Sequence, residues 1–544
     1  MNPLDLAIIR GRLQQITDEM DLVQTKAAFS PVVSEMWDRA NAIVDARSGE
    51  VVMQGTTGLP IFVSTMQATV ESVLAECRDD LRDGDVVITN DPYLGGTHLQ
   101  DVKMLRPFFI DGHLGLVLVN TGHIVDVGGA SAGAFDPGTD DIFQEGLQIS
   151  PTWLIRQGVE RSDVLRLILQ NTRLPADQEG DFRAQLNALA VGVRRLEELI
   201  DQQSGQGLLD AVDELGDRSE QQMRSYLEQI PDGRYTFIDA VEAGPDTDLA
   251  IEVTVDVVAS DVEINFGGTA PTYNGPMNLA RPTTVTAALS AFKHLFPDVP
   301  INGGCFRPFH FVFPDDCFVA AGRPHAVGGY VEGATRVMEA IFGALANVLP
   351  HQTTAASFGT GGVLSVSGLD AAGDFFATVF PMCGGYGASE GADGLLHGPT
   401  PIGLARFHSL EASEHEYPVR WDALAIREGS GGRGQWNGGH GTVFRLTALQ
   451  PMSASLLGDR SRHSPFGVAG GGEAARLEAR ITTAEGEIGG PGTSTIRGAQ
   501  LAPGDVVELR SPGGGGYGPA EYRDPAAIEA DRLDGLFDVD GSTT

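Results

Sequence analysis

The feature that most constrains this fold is the stretch from residue 84 to residue 129, where a strand, a loop and a hairpin follow one another with little slack. Gly84 to Ile88 reads as a strand running directly into NDPYLGGTHLQD, Asn90 to Asp101. Val102 to Phe109 and Leu114 to Asn120 are then apolar, strand-like runs separated by Asp111-Gly112. An Asp-Gly pair between two such runs signals a two-residue hairpin, because both central residues of the favoured turn need positive φ. With that turn, Asp101 falls opposite Gly122 and Gln100 opposite His123, so both strand ends emerge together. Strict alternation places Asp101 and His123 on opposite faces, and a bulge or a strand end is needed to aim both at one point. Gly95, Gly96 and Gly122 make such a departure cheap.

Asp91, His98, Asp101 and His123 therefore lie close together in a region built for a site. Taken singly, each His reads as an ordinary polar neighbour and Asp91 as turn chemistry. Taken as a set, two imidazoles with one or two carboxylates make a mixed nitrogen and oxygen donor group. Such a group suits Zn²⁺, Mn²⁺ or Fe²⁺ better than Ca²⁺ or a thiolate-bound ion. An open position on such an ion lowers the pKa of bound water toward ~7.

Downstream, Asp126 and Gly128-Gly129 lead into a Gly/Ala/Ser-rich loop through Gly138, then to Gln144-Glu145-Gly146. That loop is placed to cover the site. Glu145 is the preferred general base beside the activated water, with Asp126 as the second candidate, since carboxylates do this work when held near the nucleophile. A surface role for Glu145 is the alternative.

The remaining pattern predicts a mixed α and β (α+β) chain in three regions. Residues 1–234 carry the metal stretch on strands and Gly-rich loops, with helices at Pro3 to Ala28, Met66 to Leu81, Ser162 to Asn171 and across Phe182 to Ile230. Asp38 precedes a short hairpin, Ala40 to Val44 and Val51-Val52, and reads by itself as a strand-end residue. Residues 235–358 form an α+β middle region, with strands at Ile251 to Val258, Val262 to Phe266, Phe309 to Phe313 and Val319 to Ala321. Helices are expected there at Thr283 to Leu295 and Gly333 to Leu349, and Arg307 reads as a structural ion pair. Residues 359–544 are Gly-rich and β-rich. His397, His408 and His415 with Glu411 and Glu414 raise a second metal site, but their loop spacing matches no standard ligand pattern.

Charge and composition exclude several classes. A net charge of −36, from 73 acidic against 37 basic residues, argues against nucleic acid or an anionic membrane as partner. No apolar run approaches the ~20 residues of a membrane helix. The four cysteines, Cys77, Cys305, Cys317 and Cys383, have no CxxC spacing, and the N-terminus shows no secretory leader, so the cytoplasm is the expected compartment. Gly429 to Gly434 fits GxGxxG but is not followed by a helix-forming run, so the dinucleotide reading fails its context. There is no GxxxxGK[ST], so ATP, if used, is bound by another chain.

The NDPYLGGTH..D block also resembles the hydantoinase B/oxoprolinase family. The resemblance continues in EMWDRANAIVD (Glu35 to Asp45), QEGLQISP (Gln144 to Pro151), GDFRAQ (Gly180 to Gln185), INFGGTAP (Ile264 to Pro271) and PINGGCFRP (Pro300 to Pro308). It resumes in EASEHEYP (Glu411 to Pro418), GSGGRGQWNGGHG (Gly429 to Gly441), DRSRHSPFG (Asp459 to Gly467) and SPGGGGYG (Ser511 to Gly518). One departure is Leu404 to Leu410, LARFHSL, where relatives often carry an Asn-Thr-Pro-like segment.

The resemblance implies that Asp38, His98, Asp101 and His123 hold the metal. It also implies a hydantoinase A-type ATPase partner in a hetero-oligomer, acting on a small cyclic amide such as a hydantoin, lactam or oxoproline-like ring. The expected function is the hydrolytic subunit of an ATP-dependent cyclic amide hydrolase. The alternatives are a subunit of an acetone- or acetophenone-type ketone carboxylase and a non-catalytic scaffold for the ATPase.

Overall fold

A computed structural model describes residues 2–133 and 135–537. Its first sheet has seven strands in the order β2-β1-β5-β4-β3-β6-β7, every neighbouring pair antiparallel. These are β1 (Arg39–Asp45), β2 (Val51–Gln54), β3 (Val86–Thr89), β4 (Asp101–Ile110), β5 (His113–His123), β6 (Thr152–Arg156) and β7 (Val159–Glu160). The sheet is buried on both sides, so β1, β2 and β3 are apolar without clean alternation.

One face is covered by α1 (Pro3–Ala27) and α6 (Pro175–Gln203). Helix α1 starts where Asn2 accepts a hydrogen bond from the Leu4 amide and Pro3 takes the first helical position. Its buried stripe, Leu6, Ile9, Leu13, Ile16 and Met20, has helical spacing and meets Met104 and Leu118 of the sheet. A short turn, α2 (Pro31–Ser34), returns the chain to β1. The other face is covered by α3 (Phe62–Cys77), which begins four residues before the Met66 expected from periodicity.

The one-turn helix α4 (Ile142–Glu145) and the helix α5 (Ser162–Leu169) precede α6, and α7 (Gly205–Leu227) follows it. The long helical run expected across 182–230 divides at Ser204, whose φ of 66° interrupts α-geometry and whose hydroxyl then caps α7.

A four-stranded sheet, β11-β10-β9-β8, follows, with β8 (Gly233–Gly244), β9 (Thr247–Val258), β10 (Asp261–Asn265) and β11 (Phe309–Val312). Helices α8 (Arg281–Leu295) and α9 (Tyr330–Leu345) pack together, and one continuous apolar core runs from α3 through α8 and α9 to this sheet. The strand expected at Val319 to Ala321 is instead a 3₁₀ turn over Phe318–Ala320. The β6–β7 hairpin was not expected from the sequence.

The C-terminal region holds two more sheets. One orders β13 (Phe375–Phe380), β12 (Val363–Leu369), β16 (Met452–Leu457) and β19 (Thr495–Leu501). The other orders β14 (Val419–Ile426), β15 (Thr442–Ala448), β20 (Val506–Arg510), β17 (Glu478–Thr483) and β18 (Gly486–Pro491). The GxGxxG-like loop belongs to a close packing of backbones: a Cβ on Gly432 would come within 2.6 Å of the Gly516 nitrogen. The four cysteines are buried and free, and no described helix is long and apolar enough to cross a membrane.

Candidate metal centre

The site begins with hairpin register. Asp111 and Gly112 have φ of 50° and 80°, the two left-handed residues of the expected turn, and Ile110 pairs with His113. The pairing then shifts between Phe108 and Phe109: Phe109 faces Leu114 but Phe108 faces Leu116, leaving Gly115 as an extra residue in β5. This one-residue bulge places Asp101 opposite His123 and not opposite Gly122. On the other side of β5, Arg39 pairs with Gly122, and the His123 amide donates to the Asp38 carbonyl. Asp38, His123 and Asp101 thus form one rung across three adjacent strands, on the face covered by α3.

His98 reaches this rung from the loop before β4. The loop makes a 3₁₀ turn at Pro92–Leu94 and then Gly95, with φ of 129°. A Cβ on Gly95 would lie 2.2 Å from the Thr69 nitrogen of α3, so only glycine permits this approach. Thr97 then donates its hydroxyl to Asp101 Oδ2.

Three donor atoms converge. His98 Nε2 lies 3.2 Å from His123 Nδ1, His123 Nδ1 lies 3.2 Å from Asp101 Oδ1, and His98 Nε2 lies 3.3 Å from the same oxygen. Asp38 Oδ2 stands 3.8 Å from His123 Nδ1, and its side chain, 18 % exposed, is the open edge of an otherwise sealed group.

This triangle fits a metal: bonds of about 2.0–2.1 Å in a tetrahedron separate ligand atoms by about 3.3–3.4 Å. A hydrogen-bonded cluster accounts for it less well, since one carboxylate oxygen and two ring nitrogens cannot all pair among themselves. The far nitrogens, His98 Nδ1 and His123 Nε2, are buried without a hydrogen-bond partner in the protein. His98, Asp101 and His123 could therefore hold an ion, with Asp38 beside them.

The electrostatics of the two imidazoles differ: burial lowers His123, but Asp101 and Asp38 together outweigh it and raise His123 above its ordinary pKa, an effect of carboxylates gathered round one point. Burial pulls His98 below its ordinary pKa and so favours the neutral, ligating imidazole. Burial alone would raise Asp101, but the two imidazoles outweigh it and hold the carboxylate ionised. Asp38 is pushed up to about 7 by burial, with the Asp101 charge adding and His123 opposing.

Aromatic rings wall the centre. Tyr330, at the start of α9, meets the His98 ring edge-on at 4.9 Å, and Phe135 stacks on His123 at 6.0 Å. Neither ring was anticipated; both lie far along the chain or in a loop without periodicity. At the Asp38 edge, Trp37 has φ of 61° and carries the Arg406 guanidinium 3.3 Å from its ring centroid. The departing LARFHSL segment is thus the rim beside Asp38.

The other expected residues are placed as follows. Asp91 is outside the donor group: it caps the 3₁₀ turn through the Tyr93 amide at 3.0 Å and pairs with Arg323 at 2.5 Å. Asp126 is fully engaged, with Arg173 at 2.8 Å and the amides of Gly128 and Arg173 at 3.0 Å each. Glu145, at the end of α4, accepts from the Gly328 amide at 2.6 Å and the Val327 amide at 3.2 Å. Burial pushes Glu145 up to about 7 against the pull of those amides.

Arg307 is the structural ion pair expected, bridging Glu50, Asp217 and Glu220. The C-terminal histidines do not gather: His397 contacts Thr442 and His408 contacts the Val379 carbonyl. Among the described residues, His98, Asp101 and His123 form the only three-residue His/Cys/Asp/Glu group with converging donor atoms.

The fold and the donor set define a protein with a buried nitrogen–oxygen donor group on an antiparallel sheet, one that could hold a metal ion. The chain belongs to the hydantoinase B/oxoprolinase family, whose sequence profile matches residues 2–520. It is 30 % identical to the beta chain of the caprolactamase of Pseudomonas jessenii, over 100 % of this chain and 95 % of that one. It is 28 % identical to the B-type chain of a putative D-/L-hydantoinase of Pseudomonas sp. (strain NS671), over 99 % of this chain and 93 % of that one. The crystal structure of the ATP-dependent caprolactamase from P. jessenii superposes with a TM-score of 0.94 at 28 % identity, covering 99 % of this chain and 95 % of that one. Both of these named relatives are subunits of larger enzymes.

Proposed function

We propose that this chain is the metal-bearing hydrolytic subunit of an ATP-dependent cyclic amide hydrolase. The observation that carries the proposal is the convergence of His98, Asp101 and His123 within 3.2–3.3 Å on one sheet face, with Asp38 at the rim.

The division of labour follows from the chemistry. An unstrained hydantoin or lactam carbonyl is a poor electrophile, and this chain has no P-loop. A hydantoinase A-type ATPase partner would transfer the γ-phosphoryl group of ATP to the amide oxygen, releasing ADP, and water would then attack the activated carbon here, breaking the ring C–N bond and releasing inorganic phosphate.

A divalent ion at this centre, with zinc favoured by the donor set and manganese or iron as alternatives, supplies Lewis acidity and water activation. Asp38, His98, Asp101 and His123 would hold the ion. Glu145, whose carboxylate the Gly328 and Val327 amides hold under the segment that leads to Tyr330, takes the proton from the attacking water. Asp126 is committed to Arg173 and serves to fix the start of the covering loop. The aromatic wall of Phe135 and Tyr330 limits bulk water.

The test is metal content by inductively coupled plasma mass spectrometry, for the wild type and for His98→Ala and His123→Ala, followed by ring opening with the ATPase partner. The wild type is expected to carry near-stoichiometric metal. Each variant is expected to lose more than about a hundredfold in affinity, beyond the 10–100-fold typical of an outer partner. A wild type that stays metal-free after reconstitution refutes the proposal in favour of a scaffold role. Bicarbonate-dependent ATP turnover with a ketone refutes it in favour of a carboxylase.

A further inference from the structure

The rung next to the metal rung carries two polar groups that the protein leaves unused. Lys103 stands two residues beyond Asp101 on β4, and Thr121 two residues before His123 on β5; they are direct cross-strand partners. Period-two alternation puts both on the metal face, under α3. Lys103 is 1 % exposed, Thr121 is 0 % exposed, and neither Lys103 Nζ nor Thr121 Oγ1 has a hydrogen-bond partner in the protein.

The surroundings of Lys103 supply little compensation. The ring of Phe62 in α3 faces Nζ at 5.9 Å, the outer reach of a cation–π contact. No carboxylate forms an ion pair with Lys103 among the described residues, and its Nζ accordingly has no partner. An ammonium buried without an acceptor is strongly unfavourable, and replacing it by an apolar side chain of similar volume normally stabilises a fold. A chain retaining such a group beside a metal centre is supplying donors to something that arrives.

We infer that Lys103 and Thr121 form an anion-receiving subsite beside the metal centre, which takes an oxygen of an acidic group on the substrate. This rests on the hydrolase reading. Two groups share the required chemistry: a carboxylate carried by the cyclic amide, and the phosphoryl group placed on the amide by the ATPase partner.

The test is isothermal titration of the full chain, zinc-loaded and metal-free, with three probes: inorganic phosphate, 5-oxoproline, and 2-pyrrolidinone, the same ring without the carboxylate. The wild type is expected to bind at least one anion. Lys103→Met is expected to weaken that anion about tenfold or more, the loss of a hydrogen bond to a charged group. It should leave 2-pyrrolidinone within about twofold, and Lys103→Arg should restore part of the anion affinity. A loss confined to phosphate assigns the subsite to the activated, phosphorylated substrate, and one confined to 5-oxoproline assigns it to a ring carboxylate.

Melting provides a second readout, because Lys103→Met is expected to raise Tm. The inference is overturned if no anion binds, if Lys103→Met leaves anion binding unchanged or weakens all three probes alike, or if it lowers Tm. The titration needs neither ATP nor turnover. Failure of ring opening with intact, Lys103-dependent anion binding would therefore refute the hydrolase reading alone.

Discussion

Two buried clusters of charge in this molecule have similar ingredients and opposite organisation. In the first, Arg336 and Arg460 lie among Glu339, Asp459 and Asp239, where α9 meets β8 and the loop after β16. Arg336 pairs with Glu339 at 2.7 Å and with Asp459 at 3.0 Å, and Arg460 pairs with Asp239 at 2.8 Å and with Glu339 at 2.7 Å. Glu339 is completed by the Ser357 amide and hydroxyl, and Arg336 by the Gly359 and Ala240 carbonyls. Only Arg460 Nε goes unused in that group. In the second, His98, Asp101 and His123 point lone pairs at a common centre, while His98 Nδ1, His123 Nε2, Lys103 Nζ and Thr121 Oγ1 have no protein partner.

The first cluster is closed on itself and the second is open. Since a buried polar group left unpaired is costly, the open cluster identifies where the chain expects a visitor. The pairing state of the atoms, and not the number of charges, separates a clamp from a site.

The comparison sharpens most at Glu145. Glu145→Gln is expected to lower ring opening by roughly 10²–10⁴-fold, the usual worth of a positioned proton acceptor, with little change in stability. The sign of the pH dependence follows from its raised pKa: the acceptor must be ionised, so wild-type activity rises as pH increases through about 7. That limb should be absent from the residual activity of the variant. A variant that keeps the limb would move the role to another group.

Next is the closed cluster, where Arg336→Met should leave Asp459 without its ion-pair partner and cost about 3–5 kcal/mol by urea denaturation. Metal per folded molecule should not change. Metal loss in step with Arg336 would mean that the two clusters are one unit.

The smallest effect is expected at Asp126. Asp126→Asn weakens a pair whose Arg173 side is 34 % exposed, so about 1–3 kcal/mol of stability is at stake, with activity per folded molecule retained. A loss of activity matching that of Glu145→Gln would return Asp126 to the proton-transfer role.

Much of the open cluster was legible because its determinants are local. The Asp111-Gly112 turn fixes the hairpin, the Gly95-Gly96 pair allows the loop to touch α3, and Asp101 and His123 follow from counting along the two strands. The count was off by one because nothing in HLGLV marks Gly115 as a bulge and not an ordinary strand residue. Asp91 looked equivalent to Asp101, but its partner Arg323 lies 232 residues away, and no periodicity reports that distance. For the same reason Tyr330 and Phe135 were invisible. The unpaired state of Lys103 was equally unreadable, because a lysine in a strand ordinarily reaches solvent. Val319 misled as a strand former because Phe318, Val319 and Ala321 are apolar and buried, which a 3₁₀ turn packed in a core requires as much as a strand does.

Residues 323–330 lie over the ligand loop: Arg323 holds Asp91, the His325 carbonyl receives the Tyr93 hydroxyl, and the Val327 and Gly328 amides hold Glu145. Those ties bind a loop to a roof that the ribosome makes much later, 232 residues after Tyr93. During synthesis the ligands emerge as a complete set long before anything covers them. Any ion that Asp38, His98, Asp101 and His123 hold would therefore be within reach of the nascent chain early, and the roof would close over it.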